Sequence, residues 1–124
     1  MPIPAAARRF TQEMDPKDLL DWEDEITQGS DPKDFLQPTE QVSSYELALT
    51  PEAAAVGLLL RQDADYATTL TGRVLRFWLE VEPVMQSAPI FDAGVDVALE
   101  FTAWTNNTPP RRKQRTIVVK VINL

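Results

Sequence analysis

The chain has 124 residues, with 19 Asp and Glu against 12 Lys and Arg, and it contains neither Cys nor His. That length fits one domain burying roughly two thirds of the surface its unfolded chain exposes, and 44% hydrophobic with 25% charged residues suits a packed fold with an ordinary polar surface. Without Cys there are no disulfides, thiolate metal sites or thiol nucleophiles, and without His the commonest metal ligand and general base are missing.

The net charge of −7 is uneven: residues 1–65 hold 14 acids and 5 bases, whereas residues 66–124 hold 5 and 7. Net acidity argues against general nucleic-acid binding, in which phosphate neutralisation supplies most of the affinity. No apolar run approaches the roughly 20 residues that cross a bilayer, and the N-terminus does not read as an export signal, so no membrane partner is expected.

Residues 1–19 carry Pro2, Pro4 and Pro16 with no sustained period and read as an extended arm, with Ile3 and Phe10 as apolar anchors and Arg8 and Arg9 as charged ones. Residues 20–124 are expected to form the folded domain. Asp15-Pro16-Lys17-Asp18-Leu19-Leu20 recurs as Asp31-Pro32-Lys33-Asp34-Phe35-Leu36. Two copies are too few for a solenoid, and each is expected to be a turn that delivers an apolar pair. Between them Leu20, Trp22 and Ile26 alternate with Asp21, Glu23 and Glu25, which predicts the first strand. Strand alternation spaces those acids along a rail about 7 Å per step, which is no cage for calcium; Asp63 and Asp65 lack the glycine and spacing of a calcium loop. No metal or other cofactor is expected.

Residues 42–49 predict a second strand, with Tyr45, Leu47 and Leu49 on one side. Thr50-Pro51-Glu52-Ala53-Ala54-Ala55 has an N-cap, a first-turn proline and good helix formers, so it predicts one or two helical turns. Gly57 followed by Leu58-Leu59-Leu60-Arg61 then favours a short strand, the rival being one helix over residues 50–61. Residues 65–72 read as a polar loop. In residues 73–81 Leu75, Phe77, Leu79 and Val81 point inward, with Val74, Arg76, Trp78 and Glu80 outward, as in a central strand. A proline-bracketed loop over residues 82–89 leads to the closing hairpin. Its first arm alternates over residues 95–104, Thr105-Asn106-Asn107-Thr108-Pro109-Pro110 makes the tip, and Ile117, Val119 and Val121 supply the core face of its second arm. Strands at regular spacing with turn signals between them predict an all-β fold, a two-sheet sandwich or a small barrel.

The outward faces of the last three long strands are unusually apolar. Val74, Trp78, Ala98, Trp104, Val118 and Ile122 lie opposite the predicted core, and if those strands are neighbours they form one patch requiring a cover: the arm, a second subunit or a partner. Trp78, Trp104, Val118 and Ile122 are therefore the candidate partner-binding residues, joined by Ile3, Arg8, Arg9 and Phe10 of the arm. The basic run Arg111-Arg112-Lys113-Gln114-Arg115 enters a strand, so its side chains diverge and make no phosphate cradle; loop solvation or a salt-bridge rail to an acidic partner is expected over contact with RNA or DNA. Ser occurs only at positions 30, 43, 44 and 87, none in a nucleophile-elbow pattern, and nothing sets Asp96 and Glu100 in a cleft. No enzymatic activity is expected.

Asp15-Pro16 followed by Leu20-Asp21-Trp22 and Ile26, and the closing hairpin of Thr105-Asn106-Asn107 and Arg115-Thr116-Ile117-Val118-Val119-Lys120-Val121, resemble the small immunoglobulin-like virion proteins of tailed bacteriophages. The chain departs from that pattern in its long proline-bracketed 82–89 connection and in an Asn-Asn, Pro-Pro tip where a glycine is expected. The resemblance implies an immunoglobulin-like β-sandwich with an N-terminal arm, a virion location after assembly in the bacterial host cytoplasm, and partners among capsid or tail and fibre subunits, including further copies of itself. The implied role is a capsid decoration (cement) protein or a fibre-to-tail adaptor. A carbohydrate- or ligand-binding sandwich, with a tryptophan stacked on a sugar, is the alternative.

Overall fold

A computed structural model describes residues 12–25 and 40–124. The fold is an all-β sandwich of two sheets. Its strands are β1 (Gln12–Met14), β2 (Leu19–Glu25), β3 (Val42–Leu49), β4 (Leu58–Leu60), β5 (Thr69–Thr71), β6 (Val74–Val81), β7 (Val95–Thr105) and β8 (Arg112–Val121), with one short helix, α1 (Pro51–Ala55), after β3. Sheet A has the order β1-β8-β7-β3; sheet B has the order β2-β6-β4, with β5 continuing along β6. All pairings are antiparallel except β1 with β8.

Period-two patterning produces this arrangement. In β6 exposure alternates strictly, with Leu75, Phe77, Leu79 and Val81 buried and the residues between them half-exposed. In β7 Val97, Leu99, Phe101 and Ala103 face the same interior, joined by Val119 and Val121 of β8. Trp22 of β2 stacks on Phe77 with ring centroids 4.7 Å apart and planes 17° from parallel. Burying a side chain of this kind contributes about 1.5–3 kcal/mol, so the facing apolar rows decide the fold.

The Asp15-Pro16 motif is a locked turn. Asp18 N–H donates to Asp15 O at 2.9 Å, Lys17 N–H to the Asp15 carboxylate at 2.8 Å, and the C-terminal Leu124 N–H to the same carboxylate at 2.9 Å. These backbone donors, Leu124 first, hold the Asp15 pKa below its ordinary value. The turn joins the two sheets, because β1 pairs with β8 and β2 with β6. Within the stretch read as an arm, Gln12–Met14 forms β1 and Met14 is fully buried; three residues are too few to show a period in the sequence. Residues 1–11 and 26–39, with the second copy of the repeat, lie outside the described residues.

Thr50 ends β3 and starts α1. Its hydroxyl accepts from Ala53 N–H at 3.3 Å and donates to Ala98 O at 3.0 Å, so one side chain caps the helix and fastens it to β7. The helix is one turn, and β4 follows Gly57, as the glycine predicts. The polar 65–72 segment, read as loop, contains β5, a three-residue strand too short to alternate visibly.

Gly57 has φ of +91°, and a Cβ there would sit 2.8 Å from Met85 Cγ and 3.1 Å from Glu82 Cγ. Gly72 has φ of +62° with nothing within 4 Å of such a Cβ. A left-handed non-glycine residue costs about 1–2 kcal/mol. Gly72→Ala is expected to lose about that much and Gly57→Ala measurably more, read as shifts of the urea midpoint at constant m-value; equal losses would show that Met85 and Glu82 yield at no cost.

Candidate functional site

The outer face of sheet B carries the densest set of interacting polar and aromatic side chains described. Alternation along β6 puts Arg76, Trp78 and Glu80 on it, and the register places Asp21 opposite Trp78 and Glu23 opposite Arg76. Arg76 grips Asp21 with both prongs, Nε to Oδ1 at 2.9 Å and Nη2 to Oδ2 at 2.7 Å, and lies 3.8 Å from the Glu23 carboxylate. Its guanidinium also sits 4.9 Å from the Trp78 ring centroid. Tyr66 meets the Trp78 indole edge-on at 5.2 Å and 80°, and Arg61 stands 4.5 Å over the Tyr66 ring. Arg61 holds Asp63 with two bonds of 2.8 and 2.6 Å and reaches Glu80 at 3.4 Å.

The result is a continuous row, Asp21, Arg76, Trp78, Tyr66, Arg61 and Asp63, running across the strands. Local backbone supports it: Arg61 N–H donates to Trp78 O at 2.9 Å, and a 3-10 turn over Ala64–Tyr66 swings Tyr66 back over the sheet. Leu19 and Leu59, 39% and 40% exposed, both stand opposite Glu80 and flank the row.

Each contact is a weak stabiliser. Exposed ion pairs contribute about 0.2–1 kcal/mol and exposed cation–π contacts about 0.5–1 kcal/mol. What the row provides is two guanidinium groups and two aromatic rings set against one another on the outer face of sheet B, residue types enriched among the anchors of protein interfaces.

The predicted patch of outward apolar residues is divided between two faces. Trp78 and Val74 belong to sheet B, whereas Trp104, Ala98, Val118 and Ile122 belong to sheet A or its continuation on the far side of the sandwich. The alternation within each strand is as predicted, but β6 is not a neighbour of β7 or β8. On sheet A, Ala98 pairs with Val118, and both are buried, 5% and 1% exposed, without belonging to the inter-sheet core. Trp104 lies half-buried opposite Arg112, and Ile122 is half-buried beside β1, its N–H donating to Met14 O at 2.9 Å. Ile3, Arg8, Arg9 and Phe10 lie outside the described residues.

The basic run is partly absorbed by the fold. Arg111 pairs with the buried Glu40 carboxylate at 3.3 Å, its N–H donates to Thr105 Oγ1 at 2.8 Å, and Arg73 donates to Glu40 O at 3.0 Å. Glu40 therefore ties the hairpin tip to the start of β6. Among the described residues, no group of three or more acidic side chains is placed to hold a metal ion, and no helix is long and apolar enough to cross a membrane.

Sequence reading missed Arg61, Tyr66, Arg76 and Asp21 as a set. Asp21 and Arg76 are on the predicted outward faces, but their adjacency needs the β2–β6 register. Comparison with family profiles, curated proteins and solved structures gives no match.

The Arg76 hydrogen bonds hold the Asp21 pKa below its ordinary 3.8. A depressed carboxylate stabilises the fold fully above 3.8, and this contribution is lost as pH falls through the folded value. The stability gap between wild type and Arg76→Met is therefore expected to shrink below pH 3.8, and to be smaller in high salt at neutral pH, both read from urea titrations.

Proposed function

We propose that this chain is a non-enzymatic structural module of a tailed-phage particle, an immunoglobulin-like sandwich that docks on capsid or tail subunits through the outer face of sheet B. The observation that carries this reading is the row of Arg61, Tyr66, Trp78 and Arg76, fixed by Asp21 and Asp63 and flanked by the exposed Leu19 and Leu59. Tryptophan, tyrosine and arginine are the residue types that anchor protein–protein interfaces, which favours a protein surface as the partner.

The immunoglobulin-like part rests on strand order. The series β2-β6-β4 and β8-β7-β3 corresponds to the B-E-D and G-F-C order of immunoglobulin sandwiches, with the first strand placed beside the last. The phage part rests on the sequence resemblance, whose Asp15-Pro16 and Leu20-Asp21-Trp22 elements are the sheet-joining turn and the strand that supplies Asp21 to the row. The carbohydrate alternative is weaker, because Arg76 and Arg61 already occupy the Asp21 and Asp63 carboxylates that would orient sugar hydroxyls.

The test is mass spectrometry of density-banded particles from a lysate carrying the gene. The chain is expected in the particle band at a fixed ratio to the major capsid or tail protein, and Trp78→Ala is expected to weaken its retention by about 2 kcal/mol, roughly thirtyfold, as for an interface anchor. Particles of normal yield and infectivity lacking the chain would overturn the reading.

A further inference from the structure

We propose that strand β3 is a homotypic docking edge, along which a second copy of this chain adds its own β3 antiparallel in a register centred on Leu47. This surface is distinct from the outer face of sheet B and does not depend on the function proposed above.

Most described edges are defended. β1, β4 and β5 have three residues each, and β2 carries Asp21, Glu23, Asp24 and Glu25. Short strands and charge rows are the usual means by which sheets resist further pairing. β3 has eight residues, Val-Ser-Ser-Tyr-Glu-Leu-Ala-Leu, with one charge and no proline or lysine, and Ser43, Ser44, Tyr45, Glu46 and Ala48 are all exposed.

Its backbone polarity can be worked out from the register. Leu49 lies opposite Leu99, so Thr50 lies opposite Ala98, and Thr50 N–H donates to Ala98 O at 3.1 Å. Antiparallel ladders alternate, so residues 44, 46 and 48 direct their N–H and C=O groups at β7, whereas Tyr45, Leu47 and Leu49 direct theirs at the far edge, on which no described strand pairs. Below Tyr45 a bulge between Val42 and Ser44 interrupts the pattern.

These facts leave one two-fold register. Centring on Tyr45 would pair Leu47 with Ser43 inside the bulge. Centring on Glu46 would set two carboxylates directly opposite each other, which is destabilising. Centring on Ala48 or on Leu49 would send Tyr45 or Leu47, respectively, against Pro51, which has no N–H. Centring on Leu47 pairs Tyr45 with Leu49 of the second copy and Leu47 with its counterpart, satisfying all three outward residues of each chain. Glu46 then faces Ala48. A symmetric contact of this kind closes at two copies.

The test is sedimentation of the full chain across micromolar to millimolar concentration, with Tyr45→Pro and Tyr45→Thr compared. Proline removes the outward N–H while sparing the β7 ladder, and threonine removes the phenol but keeps the N–H. Wild type is expected to pass from one chain mass to two, Tyr45→Thr to remain associating, and Tyr45→Pro to weaken dimerisation about tenfold or more. Amide hydrogen exchange on the wild type supplies a reading independent of variant folding: protection at Tyr45, Leu47 and Leu49 is expected to rise with concentration. A monomer throughout, or a dimer in which those three amides exchange freely, overturns the proposal.

Discussion

The constraint on which this structure depends is that two strands with fully apolar faces, β6 and β7, must hide those faces against each other. Phe77 and Phe101 are each essentially inaccessible, from opposite sheets. Side chains alternate along a strand, so burying one face commits the other to the outside. Two consecutive strands that face each other across a core therefore send their outer faces in opposite directions. The chain between them must climb from one sheet to the other, over about 10 Å. It does so through two 3-10 turns, Pro83–Met85 and Pro89–Phe91, with Phe91 driven into the core as a plug. The long, proline-bracketed 82–89 connection is thus the means by which β7 reaches the second sheet.

This constraint also explains what the sequence made legible. Periodicity is a property of one strand, and wherever a strand had six or more residues the inward and outward positions were readable: Leu20 and Trp22 in β2, Leu75 to Val81 in β6, Val97 to Ala103 in β7. Thr50 and Gly57 likewise marked a short helix and its end through local chemistry. Sheet membership is a property of pairs of strands, and no single-strand pattern encodes it. Trp78 and Trp104 therefore looked like one patch in the sequence and stand on opposite faces of the molecule. Tyr66 was invisible for a related reason, since a 3-10 turn in a polar loop carries no period that would announce its return over the sheet.

The charged groups divide into two kinds. Glu40 is buried, and its contacts with Arg111 and Arg73 fasten the hairpin tip to the start of β6. Removing one partner there would strand a buried charge, which is far more costly than losing an exposed pair. Asp21 and Asp63 are solvent-exposed, and their grip on Arg76 and Arg61 contributes little to folding. Its main consequence is orientation: two long, rotamer-rich side chains are set beside two aromatic rings, which would lessen the entropy lost in the docking proposed for this face.

The two proposed surfaces differ in kind, one a face of sheet B and the other an edge of sheet A, and their geometry is compatible. A two-fold axis perpendicular to sheet A would join two four-stranded sheets into one of eight strands while keeping both copies of sheet B on the same side. Both Trp78 rows would then look in the same direction. A single face of this size, built from exposed anchors, supports only a modest affinity. Two such faces carried rigidly on one platform turn the second contact into an intramolecular event, and affinity rises by orders of magnitude when the target surface repeats at the matching spacing. Lattices of identical subunits offer that repetition and isolated proteins do not, so edge pairing would convert a weak docking face into one selective for an assembled surface.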